Sequence, residues 1–130
     1  MSLYAGLIAH AKQAILRAQA AYSGFPVGAA LLAKDGSIFT GCNIESSSYG
    51  LTLCAERVAL AKALSEGVTA FQALAIATAK PPLCPPCGAC RQLLWDYAKN
   101  ITIVLAAGDE YQIWTLQELL PHAFDEGFLR

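Results

Sequence analysis

Apolar positions in residues 3–20 recur at spacings of three and four. Leu3, Leu7, Ala11, Ala14 and Ala18 make one stripe, widened by Ile8 and Ile15, while His10, Lys12, Gln13 and Arg17 occupy the other positions. That period predicts an amphipathic helix covering a sheet. The pattern then shortens. Tyr22-Ser23-Gly24-Phe25-Pro26 is turn material. An apolar run over 27–33 reads as a strand, Lys34-Asp35-Gly36-Ser37 as a hairpin turn, and 38–42 as the return strand. After a polar loop, residues 54–66 read as a helix, with Thr52 as its N-cap and Gly67 as its stop. Residues 71–79 and 101–106 are apolar runs of buried-strand type, and a helix over 88–99, following Pro85 and Pro86, lies between them. Gly108-Asp109-Glu110 is a turn, 111–114 a short strand, and Thr115 caps a brief helix over 116–120 that Pro121 closes. The alternation βαβαβ in the middle of the chain predicts right-handed α/β layers.

Composition narrows this picture. At 130 residues the chain suits a single domain, 1–130, that buries about two-thirds of its unfolded surface. Apolar residues make up 55% and charged residues 15%, more apolar surface than so small a domain hides internally, which points to self-association. A formal net charge of −1, with no Lys/Arg cluster, argues against a nucleic-acid polymer, whose binding needs several neutralised phosphates. A small neutral substrate fits better. No apolar run is long enough to span a bilayer. Residues 1–21 lack the charged start and continuous apolar core of a secretory signal, so the cytoplasm is the expected compartment. The five cysteines then read as metal or thiol chemistry, since an odd number in a reducing compartment does not suggest a disulfide framework.

Three of those cysteines stand at helix beginnings. Cys87 and Cys90, three apart, fall on one face of the first turn of the 88–99 helix, and Cys54 opens the 54–66 helix. Helix N-termini carry unpaired N–H groups and partial positive charge, which favour thiolates. Three thiolates can hold one Zn²⁺. Sites with three protein ligands leave the fourth position to water and lower its pKa to about 7. Glu56, two residues after Cys54, is placed to move protons there. Other readings stand beside this one. Cys84, Cys87 and Cys90 form a C-x₂-C-x₂-C run compatible with an iron–sulfur loop, although Leu94 and not Cys follows at the usual distance. Cys87-x-x-Cys90 beside a βαβ unit also suits thiol redox chemistry, and a structural zinc module would need a fourth protein ligand. Neither the cluster nor the redox reading gives Glu56 a role. Cys42 and Cys84 are most simply free thiols, Cys84 being the rival ligand. His10 has no paired ligand nearby and suits a surface or packing role.

Cys54-Ala55-Glu56 followed by Pro86-Cys87-Gly88-Ala89-Cys90 resembles the signature of the zinc nucleoside and nucleobase deaminases, with Cys54 in place of the frequent His, as in the small cytidine deaminases. Phe25-Pro26-Val27-Gly28-Ala29-Ala30-Leu31, Gly41-Cys42-Asn43-Ile44-Glu45 and Ser48-Tyr49-Gly50-Leu51-Thr52-Leu53 resemble that family in the same order, so the likeness covers nearly the whole chain. It implies a three-layer α/β/α fold with a mixed sheet of about five strands, one Zn²⁺ per chain on Cys54, Cys87 and Cys90, and a homotetramer. The implied reaction is hydrolytic deamination of cytidine and deoxycytidine to uridine and deoxyuridine plus ammonia, as in pyrimidine salvage, with Glu56 carrying the protons. The alternatives are a related deaminase acting on another aminated heterocycle, and a non-catalytic zinc-stabilised interaction domain.

The same resemblance assigns substrate contacts. Phe25, which by itself reads as a core aromatic, would line the nucleoside pocket, and Ala55 would belong to that pocket too. Asn43 and Glu45, two apart on extended backbone, point the same way and can together accept and donate hydrogen bonds; the family gives its equivalent pair to the ribose. Tyr49 would lie near a neighbouring subunit's site. Phe124 would stack on the pyrimidine in a site completed by another subunit, although the residues after it depart from the family pattern. Three thiolates around Zn²⁺ make a negative centre. The two helix N-termini, with Arg57 and Arg91 donating to ligand sulfurs, would offset it.

Overall fold

A computed structural model of the chain describes residues 3–129. Five strands form one mixed sheet in the order β2-β1-β3-β4-β5. They are β1 (Gly28–Ala33), β2 (Ile38–Cys42), β3 (Phe71–Thr78), β4 (Thr102–Ala107) and β5 (Glu110–Thr115). The β1–β2 hairpin turns at Gly36, whose φ of 93° is the left-handed conformation a tight turn requires. β1 pairs antiparallel with both β2 and β3, β3 runs parallel to β4, and β5 returns antiparallel on β4. Strands β2, β3 and β4 therefore run the same way, joined through α2 (Ala55–Ser65) and α3 (Gly88–Tyr97), as the βαβαβ pattern requires. The sequence pattern did not place β1 between β2 and β3.

The helices divide over the two faces, giving the expected three layers. Helix α1 (Ala5–Ile15) packs Leu7 and Ala11 against Ala30, Ala73, Ala75, Ala77, Val104 and Ala106. On the opposite face Leu31, Leu74, Ile76, Ile103 and Leu105 meet α2, α3 and the short α4 (Leu116–Leu119). Strand β3 thus turns alanines to α1 and large aliphatics to α2 and α3. Small side chains bring helix and sheet close, and two glycines carry this furthest. A Cβ on Gly28 would stand 2.0 Å from the Ala11 carbonyl oxygen, and one on Gly41 would stand 2.3 Å from that of Ala55. Gly41 thereby seats the first turn of α2 directly on β2, fixing where Cys54 and Glu56 emerge.

Helix α1 stops at Ile15, short of the expected 20, because Gln19 pairs with Ile44 in a parallel bridge and needs extended backbone. Thr115 caps α4 as expected, in a reciprocal capping box with Glu118. Among the described residues no helix is long and apolar enough to cross a membrane.

Candidate active site

Beyond β2 the chain remains extended. Ile44 and Leu53 exchange both backbone hydrogen bonds at 2.9 Å, closing the 45–52 loop. That pairing delays α2, so Thr52 is not its N-cap: the Thr52 hydroxyl instead accepts from the Ser46 N–H at 3.1 Å. Cys54 takes the N-cap position, with extended ψ of 153°, and Cys87 does the same for α3 with ψ of 165°. Both stand one residue before the first turn in which the sequence pattern placed them. Cys90, buried, is the third residue of α3.

The two N-termini converge, and the sulfurs of Cys54, Cys87 and Cys90 all lie within 4.8 Å of one another. The Cys54 and Cys87 sulfurs are 3.6 Å apart. Tetrahedral zinc with Zn–S of about 2.3 Å requires sulfurs about 3.8 Å apart, so the donor set fits Zn²⁺ in chemistry and in spacing. The Cys90 thiol hydrogen-bonds to Cys54 and is the main cause that draws the Cys54 pKa down to about 6; burial opposes this, while Cys87 and the Arg57 charge assist. The same bond, with burial, pushes the Cys90 thiol up. A divalent cation would replace the thiol protons of the cluster. Cys84 lies outside the triad, its thiol raised chiefly by burial.

Glu56 is 5% exposed. Burial is the main reason its carboxyl is pushed up to about 7; its own backbone N–H lowers it, the Cys54 charge raises it and Arg57 lowers it. It opens into a cleft of about 290 Å³ that Phe25, Asn43, Glu45, Cys54 and Ala55 also line. Phe25 is 48% exposed, so it is a cleft wall and not a core residue. Asn43 is buried; its Oδ1 accepts from the Val27 N–H at 3.0 Å and its Nδ2 donates to the Phe25 carbonyl at 2.9 Å. The Glu45 carboxylate accepts from the Tyr22 and Ser23 N–H groups at 2.9 and 3.0 Å and from the Ser23 hydroxyl, which holds its carboxyl below the usual range.

The other expected site residues lie further out. Tyr49, 77% exposed, sits edge-on to Tyr22 over an open depression adjoining the cleft. Phe124 stacks on Phe128 with ring centroids 5.2 Å apart and lies on a separate surface beside Gln92 and Asp96. Arg57 acts on Cys54 and Glu56 through its charge. Arg91 donates to the Pro86 and Leu119 carbonyls, each at 2.7 Å, and so braces the segment that presents Cys87. Sequence reasoning passed over Ser23, which lines the cleft and accepts the Phe25 N–H. Its signal was a hydroxyl two residues before that N–H, the spacing of a serine turn.

A soft-ligand triad able to hold a metal ion stands next to a buried carboxylate facing a small cleft, an arrangement suited to metal-assisted hydrolysis. The particular chemistry follows from kinship: residues 1–106 match the cytidine and deoxycytidylate deaminase zinc-binding region, and the chain belongs to that deaminase family. Over 122 residues it is 52% identical to a cytidine deaminase of Halalkalibacterium halodurans, covering 91% of each chain. A crystal structure of cytidine deaminase from Burkholderia pseudomallei superposes with a TM-score of 0.89 at 41% identity, covering 95% of this chain and all of that one. A more distant relative is blasticidin-S deaminase of Bacillus cereus, 32% identical over 104 residues, which are 73% of this chain and 74% of that one.

Proposed function

We propose that the protein is a zinc-dependent cytidine deaminase that hydrolyses cytidine and deoxycytidine to uridine and deoxyuridine, releasing ammonia. The observation that carries the reading is the placement of Glu56, nearly fully buried yet opening into the same cleft as the Cys54 and Cys87 thiols. Zinc on Cys54, Cys87 and Cys90 would supply Lewis acidity and activate a water at neutral pH. Glu56 would carry one proton from water to pyrimidine N3 as oxygen adds at C4, and would then carry the proton of the new C4 hydroxyl to the amino group, so that C4=O forms, the C4–N4 bond breaks and ammonia leaves. Phe25 and Ala55 bound the space for the base, while Asn43 and Glu45 hold the ribose. Arg57 steadies the negative charge of the thiolates and the carboxylate. The reading is tested by turnover of cytidine, deoxycytidine, cytosine, adenosine and blasticidin S. Conversion of the two cytosine nucleosides well ahead of the rest supports it; preference for blasticidin S or adenosine would replace it with deamination of another heterocycle.

The active assembly in this reading is a homotetramer. Its support is the exposed apolar surface of a small chain, including Tyr49, Leu51, Tyr111 and Ile113. Phe124, 54% exposed and outside the lining of its own cleft, would stack on a base bound in a neighbour, worth about 1–3 kcal/mol. Phe124→Ala should raise KM about tenfold with zinc retained. Mixed with Glu56→Gln under verified subunit exchange, it should regain activity, since some sites then combine an intact Phe124 with an intact Glu56. Absence of rescue, or a fully active monomer, would reject the shared site.

A further inference from the structure

We propose that Ser23 is a positioning residue of the substrate cleft, aligning Phe25 and Glu45 through one hydroxyl. The inference rests on the cytidine deaminase reading for its substrate. The 20–27 segment has no regular secondary structure to hold it, yet it carries the Phe25 ring. The Ser23 Oγ accepts the Phe25 N–H at 3.0 Å and donates its only proton to the Glu45 carboxylate. The direction of this relay is therefore set. The Phe25 carbonyl is tied from the other side by Asn43 Nδ2 at 2.9 Å, so its peptide groups are held at one end by Ser23 and at the other by Asn43.

Glu45 is held as firmly. Two backbone N–H groups occupy Oε1 and the Ser23 hydroxyl occupies Oε2, leaving Oε2 one acceptor direction. Asn43 keeps one free N–H. One acceptor and one donor lining the same cleft suit a hydroxyl-bearing ligand, and the serine fixes the orientation of the carboxylate. The exposed position of Ser23 and its short side chain assign it no packing role. Removing the hydroxyl therefore takes the acceptor from the Phe25 N–H and leaves Glu45 held through Oε1 alone, without touching the thiol triad.

The test compares Ser23→Ala and Ser23→Thr with wild type, zinc-loaded, on cytidine. Wild-type turnover of cytidine tests the functional reading, and without it this inference falls as well. Given that turnover, Ser23→Ala should raise KM about five- to tenfold, the scale of losing a hydrogen bond to a charged group. Its kcat should stay within about twofold, since no group that moves protons is altered, with zinc retained. Ser23→Thr, which keeps the hydroxyl, should restore KM. An unchanged KM in Ser23→Ala would overturn the proposal. So would parallel loss of kcat and zinc, failure of Ser23→Thr to rescue, or failure of Ser23→Ala to fold.

Discussion

Glu56→Gln is expected to lower kcat on cytidine by about 10²–10⁴, the range typical of a single acid–base group, while zinc content stays at wild type. The amide fills nearly the same volume in a site that is 5% exposed, so packing is kept and the proton carrier alone is lost. A second readout comes from linkage. Burial raises the Glu56 carboxyl from the ordinary 4.5 to about 7 in the metal-free chain. Stability from the neutral acid is fully present below the unfolded pKa and is lost as pH rises through the folded one. Metal-free Glu56→Gln does not ionise there, so above about pH 7 it should melt no lower than metal-free wild type. Near-normal turnover by Glu56→Gln would remove Glu56 from the mechanism.

Replacing any one of Cys54, Cys87 and Cys90 with Ala should take zinc from about one per chain to near zero and abolish turnover, because among the described residues no fourth ligand joins the cluster. Metal binding is coupled to folding, so these variants should also melt below the zinc-loaded wild type. Cys90→Ala should melt lowest, since it additionally opens a void in a buried position. Cys42→Ala and Cys84→Ala should keep both metal and activity. Cys42 hydrogen-bonds the Arg17 carbonyl at 3.4 Å, and Cys84 stands in the cleft wall outside the cluster. Loss of zinc from Cys84→Ala with retention in Cys54→Ala would exchange the two roles.

What the sequence made legible follows from what repeats in it. Apolar runs located the strands, spacings of three and four located α1, and cap and turn residues located α2, α3 and the β1–β2 hairpin. Single bridges leave no such pattern: Ile44 pairs with both Gln19 and Leu53, and those two contacts shorten α1 and move the start of α2 to Ala55. The insertion of β1 between β2 and β3 is likewise a long-range choice that no local run specifies. At the site, cysteine spacing pointed to the metal triad because ligands must sit near helix starts. Ser23 was hidden in turn composition, since its partners Phe25 and Glu45 come together only when the 20–27 segment folds over the end of β2. Phe124 shows the limit in another form, because one chain does not bring it to its own cleft.

The most direct measurement follows zinc content and uridine formation from cytidine in one preparation as the metal is removed by chelation and returned. The account predicts about one zinc per chain when full, turnover proportional to occupancy, and one ammonia released per uridine. Full turnover by the metal-free chain, or a zinc-loaded chain that forms no uridine, would contradict it.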